Sequence, residues 1–299
     1  MKLKRKYTKI RHFDLWDMLI YFILFVLSFI SIFPFYYVAI ISFSEPSAFL
    51  SRVLYILPYT FNFNSYRILV NDGTLFYSML ISVFITVVGT ILSILIITMA
   101  GYGLSKKDTP LRQFFLIMIL ITMFFGGQLI PYYILIRNLK LVNSIWVLIF
   151  PMLVDAFYLI IMKNYFLGVP ASLEESARMD GANDYRILFQ IIVPTSKPII
   201  ASISLFLAVS KWNEWWHAML FINDKLKWPM QMMLREMLSN LTSTGSSAIG
   251  RMMVTRYKNM NPFSVRMAAI MVTAVPILIV YPFIQKHFTK GLLLGSIKE

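Results

Sequence analysis

Residues 75–101 read LFYSMLISVFITVVGTILSILIITMAG and contain no charged side chain. A helix of about 20 apolar residues is long enough to cross the hydrocarbon core of a bilayer. The rest of the chain has the same character, because 58% of its 299 residues are hydrophobic and 14% are charged. A water-soluble globule carries charge on about a quarter of its residues. The sequence therefore predicts an all-α integral membrane protein.

Five further apolar runs approach the same length, and more polar connections separate them. We predict six transmembrane helices in a single domain over residues 1–299, which makes the chain a polytopic membrane protein. The first run is too long for the core of a cleaved signal peptide, so we expect it to remain as a helix. The six predicted spans are 18–41, 75–101, 114–136, 144–162, 198–222 and 265–284.

The net charge of +14 lies mostly beside these runs, where positive residues orient helices against the membrane. Lys and Arg favour cytoplasmic connections, and they fill the second and fourth connections of this chain. We therefore expect both termini to lie in the cytoplasm, and we expect no nucleic-acid binding. The positive residues of these two connections are Lys106, Lys107, Arg112, Lys163, Arg178, Arg186 and Lys197.

The predicted outer loop, residues 223–264, departs from this rule because it is also basic. Its amphipathic segment 230–241 has Arg235 and Glu236 at the centre, which argues against a seventh span and favours a surface or re-entrant helix. Three interpretations of the charge stay open: contact with a solute-binding protein, contact with an acidic substrate, or a solvated positive face. The cations are Lys225, Lys227, Arg235, Arg251, Arg256 and Lys258.

Residues suited to catalysis or metal binding are scarce. The chain has no Cys, and its histidines His12, His217 and His287 are far apart, so we expect no metal site, no cofactor and no enzyme activity. A phosphate-binding loop requires G-x-x-x-x-G-K-[ST]. The nearest match, residues 245–252, lacks both the lysine and the hydroxyl. We expect any ATP hydrolysis to take place on another subunit.

The cytoplasmic connection 164–197 is longer than a helical hairpin requires, and long ordered loops are often functional. Ser172 with Glu175 predicts a capping box at the start of one short helix, and Gly181 predicts its end. Asn183 or Asp184 can cap a second helix through residues 185–192. The pattern indicates a rigid pair of helices against the inner membrane surface, although an ordinary amphipathic connector would have the same pattern.

Residues 175–182, ESARMDGA, followed by Phe189, Ile192, Pro194 and residues 197–198, resemble the EAA loop of ABC importer permeases. The carbohydrate-uptake branch has E-A-A-x-x-D-G-A, then F-x-x-I-x-L-P and K-P, so Ser176 and Val193 are small departures. The likeness extends over nearly the whole chain and is greatest to the maltose-type oligosaccharide permeases. The other segments that carry it are residues 101–105, 129–131 with Asn143, 212–213 and 288–298.

This resemblance implies a type I ABC importer permease fold and a place in the cytoplasmic membrane of a bacterium or archaeon. It also implies a second permease, as a heterodimer, two ATPase subunits that bind ATP and magnesium, and an external solute-binding protein. The expected cargo is an oligosaccharide or related sugar. In the family, the EAA helix docks into a cleft of the ATPase subunit. The residues carried over to this role are Glu174, Glu175, Ala177, Asp180, Gly181 and Ala182.

Polar residues inside apolar runs are candidates for the substrate path, because they are costly in lipid. Asp155 is either a path residue or a hydrogen-bonded packing residue. Residues 211–217, KWNEWWH, combine aromatic rings with amide and carboxylate groups, which suits a sugar. Tryptophans also form interfacial belts, and that alternative stays open. The predicted path residues of this segment are Trp212, Asn213 and Glu214.

The main alternative to an ABC importer permease is a transporter of another class, an ion-coupled secondary transporter. Such transporters often contain inverted repeats, and no obvious repeat relates the first three predicted spans to the last three. A membrane enzyme is a third alternative, but the chain offers it no Ser/His/Asp or metal constellation. Dependence of uptake on ATP rather than on an ion gradient distinguishes the two kinds of transporter.

Overall fold

The computed structural model describes residues 15–44, 57, 61–71, 73–125, 127–240 and 262–295, with side chains of the last range described at residues 263–279. Contacts divide the chain into two units, Met1–Tyr66 with Asn259–Met271, and Arg67–Lys258 with Val272–Glu299. The single domain over residues 1–299 stays a prediction. The near match to a phosphate loop at residues 245–252 lies outside the described residues.

Regular structure in the described ranges is helical, apart from an isolated antiparallel bridge between Ser44 and Phe61. The all-α prediction is therefore confirmed for these ranges. The helices are α1 (Leu15–Ser42), α2 (Asn64–Asn71), α3 (Thr74–Ser105), α4 (Arg112–Phe124), α5 (Leu129–Asn138), α6 (Ala156–Leu167), α7 (Ala171–Met179), α8 (Asp184–Thr195), α9 (Lys197–Trp212), α10 (Trp216–Phe221), α11 (Met230–Asn240) and α12 (Pro262–Gly295).

In the first unit, the end of α1 is tied to the start of α2. The hydroxyls of Ser42 and Tyr66 lie 2.7 Å apart, and the ring of Phe43 stacks on Tyr66 with 4.9 Å between centroids. The remainder of α1 has no charged residue after Asp17, which suits a helix in hydrocarbon.

In the second unit, α3 packs against both α6 and α9. Gly101 permits the close approach to α6, because a Cβ atom there would lie 3.1 Å from Met162 Cγ and 3.3 Å from the backbone nitrogen of Lys163. Small residues at helix crossings allow such contact in membranes, where packing replaces the hydrophobic effect between helices. α3 therefore positions the other helices of this unit.

Three predicted spans are not single straight helices. The range 114–136 contains α4 and α5, and the range 198–222 contains α9 and α10. The range 144–162 begins with 3₁₀ turns, Ile145–Met152, which meet α6 at 43°. Pro151 is one physical reason for the last break, since proline lacks a backbone donor and cannot continue a helix without loss. Among the described helices, α1 and α3 are each long and apolar enough to cross a bilayer unbroken.

Asn143 links the loops at one end of the second unit. It adopts a φ of 60°, and its backbone N–H donates to Phe221 O at 2.7 Å. Its side-chain oxygen accepts from the backbone of Asp224 at 3.1 Å, and its carbonyl accepts from Lys227 Nζ at 3.0 Å. Asparagine tolerates the left-handed region better than most residues. The loop before the 3₁₀ turns is thereby fixed to the loop after α10.

The helix α11 occupies the amphipathic segment of the predicted outer loop. Met230 and Met232 are buried, and the backbone N–H of Met230 donates to the Ser82 hydroxyl of α3 at 2.8 Å. The segment is therefore an 11-residue helix packed on the bundle, too short for a seventh span.

Candidate functional site

The helix α7 ends in a Schellman motif. The backbone N–H of Ala182 donates to Ala177 O at 2.9 Å, and that of Gly181 donates to Arg178 O at 3.0 Å. These two bonds satisfy carbonyls that the end of a helix leaves free. The motif requires a left-handed residue, and Gly181 supplies it with a φ of 81°. The predicted end of the helix at Gly181 is confirmed.

The start of α7 differs from the prediction. The N-cap is Pro170, which makes no side-chain capping bond, and the helix begins at Ala171. Ser172 therefore lies inside the first turn, so the capping box of Ser172 with Glu175 is wrong. The physical reason is that proline disfavours helical dihedrals in the residue before it, and Pro170 itself has an extended ψ of 127°, so the helix starts directly after it.

The helix α8 begins as the sequence predicted. The side chain of Asn183 accepts a hydrogen bond from the backbone of Arg186 at 2.9 Å, so Asn183 rather than Asp184 is the cap. Asp184 instead pairs with Arg178 across the turn between the two helices. Farther on, α8 contains a π-helical turn, Leu188–Ile192, and then meets α9 at 85°. We call α7 and α8 together the bracket.

One face of the bracket is built into the core of the bundle. Its buried side chains pack with residues of α3, α6 and α9 in one cluster. Such burial removes apolar surface from water and fixes the position of both short helices, which would be unstable in isolation. The bracket's buried residues are Ala177, Ile187, Leu188 and Ile192.

An ion pair adds a second attachment. Glu174 of α7 pairs with Lys106, the residue that follows α3, and both side chains are less than a third exposed. Lys106 Nζ also lies 4.3 Å from the centroid of the Tyr102 ring. A partly buried pair of this kind is less screened than a surface pair. The bracket is thus attached to the end of α3 by an ion pair.

The opposite face of the bracket is exposed. Met179 is 88% exposed and Tyr185 is 67% exposed, although both have large apolar side chains. Glu175, Asp180 and Gly181 are exposed beside them. Among the residues predicted for ATPase coupling, these three lie on the open face. The other three, Glu174, Ala177 and Ala182, are half-buried or buried against the bundle.

The predicted path residues of the fifth span surround the break between α9 and α10. Trp212 and Glu214 are buried, while Asn213 is exposed. A Glu214 oxygen accepts from the backbone N–H of His217 at 2.7 Å and lies 3.1 Å from His217 Nδ1. Asn213 Nδ2 donates to Val209 O at 2.9 Å. The structure brings these residues together, and their role in a substrate path stays a prediction.

Asp155 is the N-cap of α6. Its carboxylate accepts hydrogen bonds from the backbone nitrogens of Phe157 at 2.9 Å and Tyr158 at 3.3 Å. A carboxylate at this position satisfies free N–H groups and interacts favourably with the helix dipole. The break in the fourth span thus explains how the charge is stabilised, and a role in the path stays a prediction.

Sequence reasoning missed two lysines. Lys106 was assigned only a topological role, because its partner Glu174 is 68 positions away and no local pattern connects them. Lys211 is almost fully buried, and its Nζ donates to Met152 O at 3.1 Å. Gly89 makes room for it, since a Cβ there would lie 2.7 Å from Lys211 Cδ. The sequence did contain a signal for Lys211, because a lysine inside an apolar run is costly in lipid and indicates a buried polar contact.

Comparison with known proteins identifies similar chains along nearly the whole length. The family described as "Binding-protein-dependent transport system inner membrane component" matches residues 114–293. The polygalacturonan/rhamnogalacturonan transport system permease protein YtcP of Bacillus subtilis is 42% identical over 95% of this chain and 98% of its own length. The arabinooligosaccharides transport system permease protein AraQ of Halalkalibacterium halodurans is 29% identical over 91% of this chain and 93% of its own.

A solved structure has the same fold. It is a crystal structure of a bacterial ABC transporter involved in the import of the acidic polysaccharide alginate. One of its chains aligns with a TM-score of 0.84 and 29% identity, covering 95% of this chain and all of that one. The fold is therefore that of a type I ABC importer permease. The chain belongs to the family of binding-protein-dependent transport system inner membrane components, the permease subunits of ABC importers.

Proposed function

We propose that this permease carries an oligosaccharide or a related sugar, together with a second permease of different sequence. The support is the names of similar proteins, which include polygalacturonan/rhamnogalacturonan and arabinooligosaccharide transport permeases. Members of this family work with a partner permease, ATPase subunits and a solute-binding protein. ATP hydrolysis belongs to those partner subunits, and this permease is not itself an enzyme. We propose that there are two ATPase subunits and that ATP and magnesium bind only there.

The ion-coupled secondary transporter is not supported, because the family is that of ABC importer permeases. The family description places the chain in an inner membrane. Both termini are proposed to lie in the cytoplasm, which puts the bracket on the side where ATP is available. The positive connections around Lys106 and Arg178 support this orientation.

The bracket is proposed to be the element that couples ATP hydrolysis to transport. The observation that carries this proposal is its division into two faces. The inner face is packed into the core and paired through Glu174 with Lys106. The outer face exposes Met179 between Glu175 and Asp180. Tyr185 is a second large side chain exposed on this face, and apolar surface rimmed by polar residues suits a docking contact. A force on that face would reach the bundle through the inner one.

The test replaces Met179 with Asp in the full complex and measures retention of the ATPase subunits and ATP-driven sugar uptake. Met179 is 88% exposed, so the variant keeps the fold of the permease. A charge inserted into an apolar contact is expected to weaken ATPase binding by about tenfold or more and to abolish uptake. Leu226→Asp is the matched control, because Leu226 is 59% exposed in the predicted outer loop.

Two outcomes would decide against the proposal. If Met179→Asp retained its ATPase subunits and its uptake, the bracket would be an ordinary amphipathic connector. If Leu226→Asp lost the ATPase subunits to the same degree, the effect would not depend on this face of the bracket.

A further inference from the structure

The helix α11 contacts the break between α9 and α10 through two side chains. Gln231 Nε2 donates to Asn213 Oδ1 at 3.1 Å. The guanidinium carbon of Arg235 lies 3.7 Å from the ring centroid of Trp215. Gln231 and Arg235 are four residues apart, so they lie on the same face of α11. Together these four side chains form what we call the Arg235 cluster.

Arg235 differs from the other cations in the described part of the predicted outer loop, residues 223–240. Lys225 lies 3.7 Å from a Glu236 carboxylate oxygen, and Lys227 lies 3.5 Å from one of Asp224. Arg235 has no carboxylate within ion-pair distance among the described residues, and its side chain is exposed. Stacking on an indole holds a guanidinium in place without neutralising it. Its N–H donors stay available for another acceptor.

The nearby carboxylate of Glu214 is already engaged. Glu214 is buried and bonded to the backbone and ring of His217. Asn213 is likewise fixed on both sides, since it donates to Val209 O and accepts from Gln231. The Arg235 cluster is therefore held in one arrangement before any ligand arrives. A preorganised site loses less conformational entropy on binding.

The surface of this cluster is unsuited to lipid. An exposed guanidinium next to the exposed amide of Asn213 and the half-buried amide of Gln231 would be costly in hydrocarbon, so this surface faces water or another protein. A guanidinium forms paired hydrogen bonds with a carboxylate, and it does so with defined geometry. Amide groups and an indole beside it suit the hydroxyls and C–H faces of a sugar. The combination matches a sugar that carries a carboxylate.

We propose that Arg235 is a specificity-determining residue that binds the carboxylate of an acidic, uronate-containing oligosaccharide, with Asn213 and Gln231 beside it to contact hydroxyl groups. This inference rests on the proposed sugar transport and deepens it by naming the substrate class. Of the three interpretations of the basic outer loop, it favours contact with an acidic substrate.

The experiment uses the complete complex, with its partner permease, ATPase subunits and binding protein, reconstituted in proteoliposomes. The probes are trigalacturonate and its methyl ester, which differ in charge but not in length. Arg235→Gln is expected to lower the uptake efficiency for trigalacturonate about tenfold, which is about 1.4 kcal/mol, and to change that for the ester less than about twofold. Arg137→Gln, which removes an exposed arginine at the end of α5, is the control and is expected to change neither.

The outcomes separate this inference from the function on which it rests. If the wild-type complex transports neither probe, this inference fails, while the proposed transport of another oligosaccharide stands. If it transports the ester alone, the inference fails while sugar transport stands. An unchanged trigalacturonate uptake in Arg235→Gln also overturns the inference. Equal losses for both probes, with weaker docking of the binding protein, would instead identify Arg235 as a protein contact and overturn it.

A second variant covers the case in which Arg235→Gln fails to assemble. Arg235→Lys keeps the charge but loses the planar pair of donors, so we expect about a threefold loss for trigalacturonate and none for the ester. The absence of any selective loss in this variant would contradict the proposal.

Discussion

Gly181 is the residue at which the bracket turns, and its backbone conformation fixes the choice of amino acid. A φ of 81° is accessible to glycine without steric cost, whereas an L-residue with a side chain is strained at that dihedral. Without this turn, Asn183 could not cap α8 directly after α7 has ended. The position therefore determines the geometry of the whole bracket.

Replacing Gly181 with Ala is expected to destabilise the permease by about 1 kcal/mol, because alanine is strained at positive φ. The measurement is thermal unfolding of the purified complex in detergent. Gly168→Ala is the matched control, since Gly168 has a φ of −85° and lies at the end of α6. A similar loss in both variants would show that the turn at Gly181 has no special requirement.

Residue-level prediction from local patterns succeeded at the turn of the bracket and failed at its start, where Pro170 rather than Ser172 is the N-cap. The positive φ of Gly181 and the cap at Asn183 follow from neighbours within a few positions, and the structure has both. The pairing of Glu174 with Lys106 and the stacking of Arg235 on Trp215 join residues far apart in the chain. A single sequence gives no distance information of that kind, so these contacts could not be predicted.

At the scale of elements, the crossing of α3 and α6 depends on Gly101. A side chain there would meet the backbone nitrogen of Lys163, which cannot rotate away. Gly101→Val is expected to lower the stability of the permease by about 1–3 kcal/mol through overpacking. Thermal unfolding of the complex is again the measurement.

Gly103 provides the control for that crossing. It lies on the same helix two residues later, and a Cβ atom there would have no neighbour within 4 Å. Gly103→Val has the same change in helix propensity but should cost much less than Gly101→Val. Equal destabilisation of the two variants would mean that propensity alone, and not the approach of α6, explains the loss.

The sequence predicted that the elements are helices and where they approximately lie, but it did not predict where a span is interrupted. Apolar composition identifies a segment as membrane-embedded, and it does not show where the helix breaks. The 3₁₀ turns before α6 depend on Pro151 and on the capping carboxylate of Asp155, which the sequence contains. At the break after Trp212, Gln231 of α11 donates to Asn213, a contact from a distant segment. Only the first of these had a local signal.

At the scale of the molecule, the orientation in the membrane can be tested because the chain has no Cys. Single cysteines introduced at Met179 and Leu226 would be the only thiols of the permease, and both positions are exposed. A membrane-impermeant maleimide is expected to label Met179→Cys in inverted vesicles and Leu226→Cys in intact cells stripped of any outer membrane. Labelling of Met179→Cys from outside would contradict the proposed cytoplasmic position of the bracket.

The helices α8 and α9 meet at 85°, so a rotation of α8 about its own axis would tilt α9. The helix α9 has 16 residues and a length of about 24 Å. A tilt of α9 by about 10° about its first residue, Lys197, would displace its last residue, Trp212, by about 4 Å. That displacement exceeds the width of a water molecule. That far end leads into Asn213, so under the proposed coupling a small rotation imposed at the bracket would displace the break between α9 and α10.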